Sequence, residues 1–257
     1  MDLTIVYQNN PGTELFDSFR DIYEKSFPDK DEREPYENIR FRTFSDYSAY
    51  GNFPSTICCF LTETGRTVGG LICDYYGYLD KDADYIDVEI IYLAVDEQYR
   101  NQGAGAYLLT FGMQKILTEL ESTGLKVRNV YLETEDPDKV KTSVIDPEVR
   151  VKFFEKWGYR KIKMNYLQPP LSGDRNWADN LILMVLTVPD GEKIKWNGYI
   201  RRSDVEEFLT AFYKGLEITD QSDLYKIIEE LNCVQVEKAL GNEEKVNCLE
   251  LDIFKKD

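Results

Sequence analysis

Two glycines stand in the turn between an apolar, β-rich run and a helical pattern in Ile91-Tyr92-Leu93-Ala94-Val95-Asp96-Glu97-Gln98-Tyr99-Arg100-Asn101-Gln102-Gly103-Ala104-Gly105-Ala106-Tyr107-Leu108-Leu109. Successive backbone N–H groups at such a turn converge on one point, and the helix N-terminus adds about half a positive charge. A phosphate or pyrophosphate is the ligand that this arrangement favours. Gly103 and Gly105 leave room for its close approach. Taken alone, two glycines are better explained by a tight turn that must clear a neighbour, so the surroundings have to carry the argument. No Gly-Lys-Ser/Thr follows, which excludes a P-loop, and the three-glycine Rossmann spacing is absent.

The sequence contains no histidine, so Ser/His and Cys/His nucleophile pairs and histidine-bound metals are excluded. Any general base must be a carboxylate, an amine, a phenol or water. The five cysteines, Cys58, Cys59, Cys73, Cys233 and Cys248, form no CxxC pair and suggest neither a disulfide framework nor a zinc site. Cys58-Cys59, inside a β-rich run, reads as packing.

The elements that must position this turn follow from periodicity. A strand is predicted over Leu3–Tyr7, a helix over Thr13–Ser26, and a second, highly charged helix over Asp31–Phe44. Ser55–Thr62 and Thr67–Tyr78 read as antiparallel strands around Glu63-Thr64-Gly65-Arg66. A strand over Asp87–Val95 and a helix over Gly103–Leu120 flank the glycine turn, and Asn129–Glu133 is the next strand. A helix then opens with Asp146 as N-cap and Pro147 in its first turn, and Gly158 lies just past its end. Arg160–Leu167 and Leu181–Val188 read as closing strands. Beyond Pro189 the pattern changes to helices over Ser203–Tyr213 and Ser222–Leu231, then a hairpin of Cys233–Leu240 with Val246–Phe254 around Gly241-Asn242. This divides the chain into a mixed α/β domain over 1–190 and an appendage over 191–257, a size at which a lone core is small.

At 257 residues, 42% of them apolar and 30% charged, the chain has the composition of a soluble globule. The longest apolar run, Leu181–Leu186, is far below the ~18 residues of a membrane span, and Met1-Asp2-Leu3-Thr4 has no signal character, so the cytoplasm is the expected compartment. Lys and Arg number 31 against 47 Asp and Glu, a net charge of −16. Residues 191–257 hold 10 basic and 15 acidic residues, leaving 21 and 32 for the rest, so both parts are acidic. Nucleic acid is an unfavoured partner and a cationic ligand a favoured one.

Arg100-Asn101-Gln102-Gly103-Ala104-Gly105 resembles the R/Q-x-x-G-x-G/A signature of the GNAT superfamily of N-acetyltransferases. About 50 residues later, Phe153-Phe154-Glu155-Lys156-Trp157-Gly158-Tyr159 is similar to the stretch that closes that family's last core helix. Phe27-Pro28 followed by Glu32-Arg33-Glu34 also matches bacterial members, and the resemblance covers about residues 1–188. It implies a GNAT fold with splayed central strands and an acetyl-CoA donor. The pyrophosphate would lie on the N–H groups between Gln102 and Ala106, through Gly103, Ala104 and Gly105, and the pantetheine along the strand Ile91–Val95, with Leu93, Ala94, Val95, Arg100, Asn101 and Phe154 as the further cofactor-binding residues. Backbone N–H groups at Leu93 or Val95 would then stabilise the oxyanion as an amine attacks directly, without a covalent enzyme intermediate or a metal.

The same resemblance frames the acid–base candidates. Glu89 stands where the histone acetyltransferase branch has its base, and strand alternation is predicted to put Glu89, Ile91, Leu93 and Val95 on one face, with Asp87 beside Glu89. A solvated strand-end charge is the plain alternative for Glu89, and more so for Glu133 on the neighbouring strand. Phe154 replaces the tyrosine with which many members protonate the leaving thiolate, and Tyr166 is the candidate substitute. Pro147 stands where many members have an asparagine near the pantetheine. The implied activity is acetyl transfer to a primary amine of a small molecule or peptide. A non-catalytic acyl-CoA sensor is the alternative that Phe154 leaves open.

Overall fold

The computed structural model describes residues 1–28, 33–45, 54–77, 85–164, 166–171, 177–188, 199–216, 236–238 and 244–247. The chain forms two compact units, 1–127 with 171–175 and 128–170 with 176–257.

In the first unit, β1 (Asp2–Val6), β2 (Ser55–Glu63), β3 (Arg66–Gly77) and β4 (Tyr85–Val95) pair in sequence order, each antiparallel to the next. The β2–β3 turn is Thr64-Gly65, both at positive φ, 50° and 80°, the conformation that keeps a two-residue hairpin in step with strand twist. Helix α1 (Thr13–Ser26) buries Phe16, Phe19, Ile22 and Tyr23, as its periodicity dictates. Those side chains form one apolar cluster with Val6, Phe60, Ile72, Tyr92 and Ala94 of the strands and Tyr36 and Ile39 of α2 (Tyr36–Phe44). Phe19 lies so close to β3 that a Cβ on Gly70 would stand 2.8 Å from its ring.

Helix α2 begins five residues later than the predicted Asp31–Phe44; residues 31–32 lie outside the described set, and 33–35 are not helical. Pro35, at φ −57° and ψ 127°, holds the cap position, and a proline disfavours helical backbone at the residue before it. After β4 the predicted single helix is a composite: α3 (Ala104–Tyr107), a π-helical turn (Leu108–Gly112) and α4 (Met113–Ser122).

In the second unit β5 (Lys126–Glu135), whose first two residues belong to the first unit, pairs antiparallel with β7 (Leu181–Thr187), which also pairs with the short β6 (Arg160–Lys161). Helix α5 (Pro147–Lys156) starts as predicted: the Asp146 carboxylate accepts from the backbone N–H groups of Glu148 and Val149, and Gly158, at φ +96°, follows its end. The predicted strand Arg160–Leu167 ends early. Its backbone bends after Ile162, and Gln168 instead pairs with Ala178. Further on, β8 (Tyr199–Arg201) leads into α6 (Arg202–Gly215), and β10 (Glu244–Asn247) pairs antiparallel with both β8 and β9 (Val236–Lys238). The antiparallel β9–β10 pair, with Val246 opposite Val236, is the described part of the predicted hairpin of Cys233–Leu240 with Val246–Phe254; residues 233–235, 239–243 and 248–254 lie outside the described set. The predicted helix Ser222–Leu231 lies outside the described residues.

Candidate active site

The glycine turn is built from the end of β4 outward. The Asp96 carboxylate accepts from Gln98 N–H at 3.0 Å and starts a single 3-10 turn, Glu97–Tyr99. Arg100 then folds back, its Nε donating to the Val95 carbonyl at 3.0 Å and its Nη2 to Ser26 Oγ at 3.1 Å. Its guanidinium thus holds the turn against β4 and α1, and what residue 100 offers a ligand is backbone. Asn101 and Gly103 take positive φ, 60° and 86°, and Asn101, Gln102 and Gly103 are exposed. A Cβ on Gly103 would meet nothing within 4 Å, so its glycine answers to backbone conformation and the space above it is open. Ala104, Gly105 and Ala106 follow as the first turn of α3, whose N–H groups have no intrahelical acceptor. This donor set fits the diphosphate of acetyl-CoA.

Strand β4 contains one residue more than its partner. Ile72 faces Tyr92 but Cys73 faces Ile90, so Ile91 is an unpaired bulge residue. The bulge corrects the predicted alternation. Glu89, opposite Asp74, lies on the face of Ile72, Tyr92 and Ala94, whereas Leu93 and Val95 lie on the other face with Ile90. Ile91 and Leu93 are the partly exposed positions in the middle of an otherwise buried strand.

Glu89 itself is 1% exposed and accepts from the Tyr76 hydroxyl at 2.7 Å. Around it Arg42 pairs with Glu34 at 2.7 Å and with Asp74 at 3.2 Å, and Thr56 donates to Asp74. Burial works against the Arg42 charge, but Asp74 and Glu34 outweigh it and raise the guanidinium pKa well above its ordinary value. Burial, then the Glu89 charge, pushes the Tyr76 phenol up as well, so it stays a donor. Asp87, opposite Tyr76, is fully buried on the same face. Cys58 and Cys59 are fully buried, and burial lifts the Cys59 thiol to about 12, so it is inert packing as predicted.

In the second unit the structure brings Glu133 and Tyr166 together. The Tyr166 hydroxyl donates to Glu133 Oε1, and Gln168 Nε2 donates to Oε2 at 2.5 Å. Glu133 is only partly exposed, and desolvation lifts its pKa to about 8 against the opposing pull of the Gln168 bond. A carboxyl poised there exchanges protons near neutrality, the property a general base needs. Gln168 was not a sequence candidate, and nothing in its turn-rich surroundings marks it. Phe154 is buried, edge-on to Phe153 at 5.4 Å and to Tyr159 at 5.9 Å, and Pro147 is buried in the first turn of α5. Among the described residues no group of three or more His, Cys, Asp or Glu could hold a metal ion, and no helix is long and apolar enough to cross a membrane.

The fold is mixed α/β and carries an open, glycine-bearing donor turn between a strand and a helix. Residues 14–159 match the Acetyltransferase (GNAT) family, and the chain belongs to that family of acetyl-CoA-dependent enzymes. It is similar in fold to a GNAT-family protein from Bacteroides thetaiotaomicron, with 19% identity, a TM-score of 0.51 and coverage of 84% of this chain and 99% of that one. Other similar structures are the aminoglycoside 6'-N-acetyltransferase from Enterococcus faecium (18% identity, TM-score 0.45, 75% of this chain and 100% of that one) and the ribosomal-protein-S18-alanine N-acetyltransferase from Escherichia coli (18%, 0.44, 76% and 99%). No curated protein sequence matches the chain.

Proposed function

We propose that this acetyltransferase moves an acetyl group from acetyl-CoA to a primary amine of a small molecule or peptide, with Glu133 as general base and Tyr166 as its partner acid. The observation that carries the reading is the Glu133 carboxyl, partly exposed, lifted to about 8 and hydrogen-bonded to a phenol. Acetyl-CoA, when bound, supplies an electrophilic thioester carbonyl and a thiol leaving group whose pKa lies near 8.5. The exposed backbone of residues 101–103 and the first N–H groups of α3 hold its diphosphate. Glu133 accepts the ammonium proton of the acceptor and frees the lone pair that forms the N–C bond. Tyr166 donates its proton to the departing sulfur and recovers one from Glu133 along their hydrogen bond, while the second proton of the attacking nitrogen leaves to solvent as the amide forms, so the pair ends as it began and each turnover releases one proton.

Glu89 is the second candidate for the base, although its carboxylate is 1% exposed and engaged by Tyr76. We further read residues 1–190 as the catalytic domain and 191–257 as an appendage, which the separate β8–β10–β9 sheet supports. The test is calorimetric titration with acetyl-CoA together with a thiol-release assay over a panel of small and peptidic amines. Release of CoA with at least one amine is expected. The buried Phe154, which has no proton to donate, favours a second reading as an acyl-CoA sensor. Tight binding with no release on any amine would replace the enzymatic reading with that one.

A further inference from the structure

Tyr166 and Gln168, which hold the two oxygens of Glu133, flank Leu167, and the Leu167 carbonyl accepts from the hydroxyl of Tyr213 at 2.8 Å. Tyr213 is fully buried in α6, outside the residues that match the family. Burial first, and then the negative charge of Glu133, push its phenol pKa up, which keeps the hydroxyl a donor. The segment is fastened on its other side by Gln168, whose backbone exchanges hydrogen bonds with Ala178 at 2.8 and 3.0 Å.

Helix α6 is itself fixed to the strand that carries Glu133. The Phe208 ring stacks on Tyr131 at 3.9 Å and 6°, two residues from Glu133 on the same strand face. Arg128 donates to Asp204 at 2.7 Å and to Glu207 at 2.8 Å, and the Tyr131 hydroxyl donates to the Asp204 carbonyl. Tyr131 and Tyr213 thus bracket one length of α6.

We propose that α6 acts as a clamp on the general base, with Tyr213 as a positioning residue that fixes, through the Leu167 carbonyl, the side chains gripping Glu133. The inference rests on the reading of Glu133 as base. It gives the region after residue 190 a task in catalysis without contact with either substrate. A buried tyrosine satisfied at random would have many carbonyls to choose from; this one takes the carbonyl lying between the two donors. Among the described residues, Tyr166 and Gln168 bond Glu133 directly, Tyr213 on α6 feels its charge, and Glu135, two residues along β5, is paired with Arg150 of α5 at 2.9 Å. The register partner of Glu133 on β7, Leu183, is apolar.

The test is the titration of Glu133 in the full chain, followed by NMR of 13C-labelled glutamate, in the wild type and in Tyr213→Phe, which keeps the ring and removes the hydroxyl. Releasing Leu167 admits water, which lowers the pKa, and loosens the Gln168 bond, which raises it; burial is the larger cause, so the net shift is downward. The midpoint should fall by about one unit, a tenfold change in proton affinity, toward the ordinary glutamate value near 4.3. The pH–rate midpoint should follow, and acetyl-CoA affinity should not change. Phe208→Leu, which breaks the stack on Tyr131, should move the midpoint the same way. Unmoved midpoints in both variants overturn the clamp. A Glu133→Gln variant with wild-type turnover overturns the assignment of the base, while the NMR midpoints still decide whether α6 holds that carboxyl.

Discussion

Tyr76 and Glu89 meet across 2.7 Å on the face of the β3–β4 pair that also carries Asp74, on the side away from Leu93. A carboxylate so enclosed is part of the core's polar network. Glu89→Gln keeps the shape and an acceptor for the Tyr76 hydroxyl, so turnover should stay within about threefold of the wild type. A general base is worth about two to four orders of magnitude. A loss of that size in kcat, with unchanged acetyl-CoA affinity, would transfer the base from Glu133 to Glu89.

Glu133→Gln should lower kcat by about two to four orders of magnitude near pH 8. The wild type should gain rate as pH rises through about 8, where Glu133 ionises, and the variant should lose that step. Stability runs the other way. The folded carboxyl binds its proton more tightly than the unfolded one, so between the ordinary glutamate range and about 8 the folded state holds the extra proton, and stability falls as pH rises. Glu133→Gln should therefore melt higher than the wild type at pH 9, with about 2–4 °C expected for each kcal/mol relieved. Equal melting temperatures at pH 9 would show that the carboxyl is not desolvated.

Gly103→Ala separates backbone strain from ligand approach. At φ +86° an alanine costs about 1–2 kcal/mol, and with nothing within 4 Å of its Cβ no steric clash adds to that. Chemical denaturation should record that modest loss. Acetyl-CoA affinity should fall further than the stability does, because the methyl group stands in the open space above the donor turn. Unchanged affinity would move the diphosphate elsewhere.

Gly70→Ala should cost about 1–3 kcal/mol, because the new Cβ lands 2.8 Å from the Phe19 ring in the core under α1. The urea midpoint should drop with little change in slope. A combined Gly70→Ala, Phe19→Leu chain should recover part of the loss, since the leucine removes the atoms in conflict.

Local signals made much of this fold legible. Thr13–Ser26 is helical at the residues that the apolar spacing marks, Asp146 caps α5, and the glycine turn sits between a strand and a helix. The bulge at Ile91 leaves no such trace. Ile90, Ile91, Tyr92 and Leu93 are all apolar, so either register buries similar surface, and only the pairing with β3 decides which face receives Glu89. Glu133 was a candidate, but its grip is long-range: Tyr166 and Gln168 come from 33 and 35 residues away, on a segment whose periodicity reads as more of a strand. Pro35 encodes the late start of α2, while the charge pattern around it reads as helical.

The π-helical turn at Leu108–Gly112 has a bearing on how this chain can vary in length. Buried positions at Ala104, Leu108, Gly112, Ile116 and Leu120 recur every fourth residue, and on a regular helix such a stripe would wind away by about 40° at each step. The wider turn takes up one extra residue and returns the stripe to the sheet, with Gly112 close enough that a Cβ there would lie 3.4 Å from Cys59 Sγ. Deleting one residue within the turn would restore a uniform helix and leave Met113, Ile116 and Leu120 in step with the donor turn at Gly103, whereas a deletion in α4 would rotate the residues after it by about 100°. The helix therefore tolerates a change of length unevenly: one residue can be lost at Leu108–Gly112 without disturbing either end, while the same loss elsewhere would turn one end away from the sheet.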